Sequence, residues 1–366
     1  MTHLERDSRC LRGERIEPKA LAGELQFLWN AWRKQHPMFS SPFLSIDFAQ
    51  AVGAVRPDAR IAVFHDERGV AGFLGFQQGV GRTAVPLAAG YNDVHGVLKR
   101  ADAAFSYRQV LEVLGKESFR FHAMVDAGLD LTPFTFKNRP TFMADLQVAD
   151  QGYVDYLEQS SKTIFKQRKK TRKMIKDLGP LRLELACRDP RVLERVIELK
   201  RAQYQRTHIF DLLSLDWVQQ LWRRLHAQHE LACHGVLSVL YAGDQLVAAH
   251  FGLREQSCLH YWFPVYDLAF HQYSPGTALF LEICRQADKV GIKTIDFGYG
   301  EQPYKRKLTN ESSTLAYGRI DRSRARWWSD RCQYWLRRQG ARIPWKEAIK
   351  PWVRQLLPNL DSEPFR

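Results

Sequence analysis

The chain of 366 residues contains no apolar run near the roughly 20 residues that a membrane-spanning helix needs. Its six cysteines, at positions 10, 187, 233, 258, 284 and 332, include no CxxC pair, so neither a zinc site nor a disulfide framework is signalled. The opening MTHLERDSRCLRGER is charged and lacks the apolar stretch of a secretory signal. These absences set the expectation of a cytoplasmic protein with free thiols and no metal. Asp296-Phe297-Gly298 looks like a kinase signature. No HRD-type loop precedes it and no glycine-rich loop with a strand lysine lies upstream, so kinase chemistry is excluded. Nor do the residues form a constellation for metal, nucleophilic-serine or nucleophilic-cysteine chemistry.

What is there describes a globular protein: 45% hydrophobic and 12% aromatic residues, ample for a core. The net charge of +14 is concentrated in two places. Residues 160–176, SSKTIFKQRKKTRKMIK, hold eight Lys/Arg and no acid, and residues 321–366 carry a net +6, which together account for all of it. On a helical wheel Ile164, Thr171, Ile175 and Leu178 share one face of the first segment, ringed by cations. That helix suits an anionic partner: RNA, a nucleotide-sugar or lipid-linked acceptor, or anionic lipid. The second segment holds five of the ten tryptophans, with Trp328, Cys332, Trp335 and Leu336 on one helical face. A basic helix with an aromatic face fits a membrane interface, and it equally fits a helix packing its tryptophans on the body.

Strand and helix signals recur in the same order twice. IAVFHD (61–66) and VAGFLGFQ (70–77) read as a hairpin, followed by TAVPLAAGYNDVHGVL (83–98), an amphipathic helix in SYRQVLEVLGKES (106–118) and a strand in FRFHAMVD (119–126). In the second half VLSVLYA (236–242) and QLVAAHFGLRE (245–255) form a hairpin. SCLHYWFPVYD (257–267), a helix over 277–291 and the strand KTIDFG complete the set. The spacing of about 170 residues is too long for a solenoid and suggests two copies of one α/β unit. Residues 1–58 read as helical and irregular.

The candidate chemistry clusters between the last two strands. Ser274, Pro275, Gly276 and Thr277 stand where a strand passes into a helix, and the amides of a helix start favour an anion. Pro264 interrupts the preceding strand. DFGYGEQPYKRKLT (296–309) then ends a buried strand in Gly298 and Gly300 and delivers Tyr304, Lys305, Arg306 and Lys307 in close succession. Ligands of open α/β sheets bind at the C-terminal ends of strands. Read by itself, each piece also has a plain structural explanation: a turn with a helix cap, a core histidine at His250, a solvated basic helix start. Asp296 reads as the residue that holds the glycine turn.

Together, Asp267, Ser274-Pro275-Gly276, Asp296-Phe297-Gly298, Gly300 and Tyr304-Lys305 resemble the GNAT-like acyltransferase domain of CelD-type proteins of cellulose and exopolysaccharide biosynthesis. These are relatives of the Fem-type peptidyltransferases. SSKTIFKQRKKTRKMIKDLGPLRLEL resembles the basic helix and strand that open this domain, and GYNDVHGVL the Asp-x-x-Gly loop of the family's degenerate N-terminal unit. The likeness runs over about 60–325. It departs from the usual Arg/Gln-x-x-Gly-x-Gly/Ala signature, with glycine in only one slot of Gln272-Tyr273-Ser274-Pro275-Gly276-Thr277-Ala278.

The resemblance implies an α/β (α+β) fold of tandem GNAT-like domains, each a mixed twisted sheet flanked by helices, plus a helical C-terminal tail. The divisions expected are 1–58 as a helical segment on the first lobe, 59–150 as a degenerate lobe, 151–320 as the acyltransferase lobe and 321–366 as the basic tail. It implies transfer from acetyl-CoA or another acyl-CoA to an amine or hydroxyl. The donor would be held by 274–277 and by the strand backbone at Phe263 and Val265. An N–H within 263–266 and the Tyr304 hydroxyl would stabilise the oxyanion, and Asp267 or His250 would be the base. Lys305, Asp93 and His95 would bind an anionic small-molecule, glycan or lipid-linked acceptor. Peripheral contact with an anionic membrane through 321–366 is part of the same reading. Two alternatives stay open: Fem-like transfer from aminoacyl-tRNA, and an inactive fold that binds an anionic polymer.

Overall fold

A computed structural model describes residues 11–104, 106–127, 131–148 and 151–340. The chain forms two compact units. The first takes in the chain through Gln35, then Asp58–Arg139 and the chain from Leu315. The second consists of His36–Pro57 and Pro140–Thr314. The segment His36–Pro57, expected on the first lobe, therefore folds with the second unit. Its helix Ile46–Val55 starts at Ser45, whose side chain accepts the Phe48 N–H, and Phe43 and Phe48 lie against Trp262.

In the first unit the strands run in the order Arg12–Ile16, Arg60–Asp66, Gly69–Gln78, Thr83–Pro86 and Ser118–Met124, closed by the part of Glu311–Asp321 from Leu315 on. All neighbours are antiparallel except Thr83–Pro86 and Ser118–Met124. The hairpin turns where the Asp66 carboxylate accepts the Arg68 N–H and Gly69 takes φ 104°. The helix Tyr107–Leu114 begins at a reciprocal Ser106–Gln109 capping box and ends at Gly115 in the left-handed region. Its Val110, Leu111 and Leu114 enter a core of Phe64, Leu74, Phe119 and Phe121. The strand Arg12–Ile16 lies in a stretch expected to be helical; one strand edge recruits it, and no local signal marks it.

The second unit repeats this order with its own strands: Leu181–Glu184, Cys233–Ala242, Gln245–Glu255, Cys258–Tyr266 and Thr294–Tyr299, closed by the part of Thr135–Asp145 from Pro140 on. Again one neighbouring pair is parallel, here Cys258–Tyr266 with Thr294–Tyr299. Tyr153–Ser160, Lys162–Leu178 and Pro275–Gln286 pack together against the sheet. Leu279, Phe280 and Ile283 are fully buried, each contributing on the order of 2 kcal/mol to holding the last of these helices in place. Pro190–Thr207 and Asp216–Ala227 form a second helical layer, in which Trp222 stacks on Phe251 with ring centroids 4.4 Å apart.

The basic helix presents a different face from the one expected. Ile164, Gln167 and Met174 are buried, whereas Ile175 is 41% exposed. Spacings of three and four carry the inward stripe through Gln167, a polar residue tolerated because its amide donates to the Tyr273 carbonyl at 2.9 Å.

Candidate active site

The parallel pair of the second unit opens after three residues. Cys258, Leu259 and His260 pair with Thr294, Ile295 and Asp296, and the pairing goes no further, although both strands continue, to Tyr266 and Tyr299. A bulge in the neighbouring ladder starts the divergence: the register with Gln245–Glu255 shifts between Phe251 and Leu253. Gly252 lies in that irregularity. A Cβ there would meet the His260 carbonyl oxygen at 2.2 Å and the His250 Nε2 at 2.4 Å.

Opening a sheet leaves backbone polar groups without ladder partners, and buried ones must be satisfied. Side chains do this here. Trp262 donates its N–H to His250 Nε2 at 3.2 Å. Asp296 accepts the Gly298 N–H at 2.7 Å, and its other oxygen lies 3.1 Å from His260 Nδ1. Lys305 donates to the carbonyls of Phe297 and Tyr299, each at 2.7 Å, and reaches that of Gly298 at 3.4 Å. Lys200, on the helix Pro190–Thr207, donates to the Pro264 carbonyl at 2.9 Å.

These contacts revise several expected roles. His250 is fully buried; burial pushes its imidazole down to about 3, so it is neutral, and its Nε2 is engaged as an acceptor. It serves the bulge and is unsuited to act as a base. Lys305 is buried beneath the strand end and is a structural clamp, where the sequence suggested a cation aimed into a cleft. Burial works to raise the Asp296 carboxyl. His260, the Gly298 N–H and Lys305 outweigh it, so the group stays below the usual carboxylate range. Asp267 caps the turn that follows the strand, accepting the Ala269 N–H at 3.0 Å, with Arg195 at 3.9 Å. Tyr304 is 41% exposed, its ring 6.2 Å from that of Phe297.

The helix start at 274–277 is less open than an ideal one. Ser274 sits in the left-handed region at φ 53° and its N–H bonds to His271; Pro275 has no N–H; Thr277 and Ala278 both donate to the Ser274 carbonyl. The Gly276 amide is what the first turn has left to offer. Lys170, from the basic helix, adds a cation there by donating to Ser274 Oγ at 2.7 Å. That contact joins two features which the sequence offered separately.

Asp93 and His95 lie in the first unit. Asp93 is half-buried, but His95 is buried and accepts N–H groups from His122 and Ala123 at 3.3 and 3.4 Å. Burial, then the neighbouring His122, hold its imidazole well below the ordinary value. His95 is a packing residue of that unit. Among the described residues no group of three or more His, Cys, Asp and Glu could hold a metal.

Two contributors escaped sequence reasoning. Gly252 gives no signal, because its need arises from a neighbouring strand. Lys200 does give one: with Leu193, Val196, Ile197 and Tyr204 it falls on the buried face of its helix, a lysine where the period calls for an apolar residue.

Residues 161–306, less than half of the chain, match the family model for an acetyltransferase (GNAT) domain. FemX resembles the chain with a TM-score of 0.55 at 13% identity, covering 84% of this chain and 96% of that one. The C-terminal DUF2156 domain of a protein assigned as a lysylphosphatidylglycerol synthetase from Agrobacterium fabrum gives 0.51 at 10% identity, over 85% and 95%. No curated protein matches. The fold is thus a GNAT-superfamily α/β fold with a mixed sheet and flanking helices, related to that of FemX and DUF2156-type structures.

Proposed function

We propose that the protein transfers an acyl group, acetyl in the simplest case, from acyl-coenzyme A to an amine or hydroxyl in one ternary complex. The observation that carries this is the opened parallel pair beside the helix start. Asp267 donates its N–H to Val247, so in the alternating antiparallel pattern 263 and 265 face Gln245–Glu255 while 264 and 266 turn toward the opening. Tyr266, past the Pro264 carbonyl that Lys200 holds, offers a thioester arm a strand-like partner, with Phe263 and Val265 packing beneath it. Lys170, Ser274 Oγ and the Gly276 amide, beside Pro275 and Thr277, form the anion end for the donor's phosphates. The Tyr304 hydroxyl is the candidate oxyanion donor. The first unit, which has the same strand order, is read as a degenerate GNAT-like lobe, and CelD-type chemistry on an anionic glycan or lipid-linked acceptor of the cell envelope remains the narrower reading.

The test is the melting temperature with acetyl-CoA and with free coenzyme A. A ligand that binds only the folded state stabilises by about 2.7 kcal/mol at 100 times its dissociation constant, a rise of several degrees. Gly276→Trp is the control: a Cβ at Gly276 meets only Tyr266, at 3.8 Å, so a bulky side chain enters open space and blocks the site without disturbing the core. A saturable rise lost in the control supports the donor site. No rise at millimolar ligand rejects it in favour of charged tRNA, toward which the basic helix Lys162–Leu178 points, or of an inactive polymer-binding fold.

Peripheral membrane contact belongs to the same reading. On the helix Arg324–Gly340, Trp327 lies against Phe136, while Trp328 and Trp335, 58% and 57% exposed, share the outer stripe with exposed Cys332. Residues 341–366 lie outside the described residues. No described helix is long and apolar enough to cross a membrane. Flotation with anionic vesicles is expected for the full chain and to be lost in Trp328→Ser/Trp335→Ser; equal flotation of the two would discard the contact.

A further inference from the structure

The acyl-transfer reading leaves one step without a residue. His250 is neutral but engaged, and Asp267 is committed to its turn and to Arg195. Neither is free to receive the proton that an attacking amine or hydroxyl must lose. Lys200 occupies a suitable position. Its helix, Pro190–Thr207, packs on the strand Cys258–Tyr266, as does Pro275–Gln286. Its amine reaches the Pro264 carbonyl, on the edge that the opening exposes. The Phe263 ring centroid lies 5.8 Å from Nζ and that of Tyr204 5.3 Å, so the ammonium stem is sheathed in aromatic surface.

We propose, resting on the donor site above, that Lys200 receives the proton of the acceptor as it attacks the thioester. The acceptor's lone pair forms the new C–N or C–O bond. The C–S bond breaks with its electron pair on sulfur. The acceptor's proton passes to neutral Lys200 Nζ, and the resulting ammonium returns a proton to the thiolate.

Burial brings the neutral amine within reach just above neutral pH. Burial alone lowers Lys200 to about 8. The charged and titratable groups around it do not oppose this. His250, on the next strand, is neutral and interacts with it repulsively when charged. Tyr204, on its own helix, is pushed up by burial. Asp211 is paired with Arg201 at 2.8 Å, and Asp267 lies 3.9 Å from Arg195. A lysine poised near neutrality by an apolar setting is the usual form in which this side chain exchanges protons.

The experiment has three readouts on the full-length chain. Trace acetylation by acetic anhydride, read by mass spectrometry across pH 6 to 11, titrates each lysine separately. Lys200 is expected to gain reactivity around pH 8, well below the exposed lysines; reactivity only above pH 10, or none at any pH, overturns the proposal. The coenzyme A shift in melting temperature tests the donor site by itself. If it is absent the acyl-transfer reading fails, and if it is present without the Lys200 titration only the proposal fails. Finally, thiol release from bound acetyl-CoA with ethanolamine as probe acceptor should fall about 100-fold in both Lys200→Met and Lys200→Arg. The wild-type limb near pH 8 should vanish, with the coenzyme A shift retained. Variants as fast as wild type, or no release by donor-loaded wild type, count against it.

Discussion

Both units carry the same sequence of strand directions, and they differ in how each treats its parallel pair. In the first, Thr83 and Ala84 pair with Ser118 and Phe119, after which the chain's own backbone seals the gap. His95 forms a parallel bridge with Met124, taking the Ala123 carbonyl at 3.0 Å and giving its own carbonyl to Val125 at 2.8 Å. Behind it the His95 and His122 rings stand 4.6 Å apart, and His122 donates to the Asn92 carbonyl at 2.7 Å. In the second unit the strand ends beyond the parallel pair are held by side chains of Asp296, Lys305 and Lys200, with His250 serving the bulge on the neighbouring ladder. A gap filled by backbone is a wall. Side chains that take up the same kind of backbone groups leave the two strand ends unpaired with each other. The difference teaches that whether a parallel pair opens depends on where the hydrogen bonds of its strand ends come from as much as on what is missing.

The hardest test of the open unit is Gly252→Ala. The added methyl must displace the His260 backbone and the His250 ring together, so we expect a loss of about 4 kcal/mol in urea unfolding. A change below about 1 kcal/mol would mean that the bulge does not depend on that glycine. Next is Lys305→Ala. Removing a buried ammonium that serves the Phe297 and Tyr299 carbonyls, and reaches that of Gly298, should cost about 3 kcal/mol. Normal stability with lost turnover would instead return Lys305 to the acceptor role that the sequence suggested.

The last test concerns the sealed unit and acid. Burial lowers His122 from 6.5 to about 4. The unfolded chain therefore binds the proton more tightly, so stability is retained above pH 6.5 and falls as pH drops toward 4. His122→Gln keeps a donor for the Asn92 carbonyl but cannot titrate. Its stability should decline less steeply over that window, by up to about 1.4 kcal/mol per pH unit. Parallel curves for variant and wild type would show that His122 is not the group responsible.

Much of this architecture was legible along the chain. The hairpins at 61–77 and 236–255 announced themselves by apolar alternation around short turns, and their expected limits lie close to the observed strands Arg60–Asp66, Gly69–Gln78, Cys233–Ala242 and Gln245–Glu255. The helix after Ser274-Pro275-Gly276 was equally plain. Charge misled where it was dense: Tyr304-Lys305-Arg306-Lys307 looks like a solvated run, yet Lys305 alone turns inward, because three carbonyls at a strand end need a donor. The recurring order of strands was visible, but not the exchange of closing strands. The strand after Ser118–Met124 in the chain closes the second unit, and the strand after Thr294–Tyr299 closes the first. No periodicity in either strand encodes which partner it takes.

The sequence by itself determined the local elements, the basic helix and the turn at 274–277, since these depend on period, caps and turn residues within a few positions of one another. Tertiary structure alone decided that the second parallel pair opens and the first is sealed, and that His250 and Lys305 hold backbone while Lys200 reaches the opened edge. Those outcomes depend on groups brought together from distant parts of the chain. Hydrogen-bond satisfaction of a buried strand edge is settled only when every candidate donor and acceptor has been placed in three dimensions.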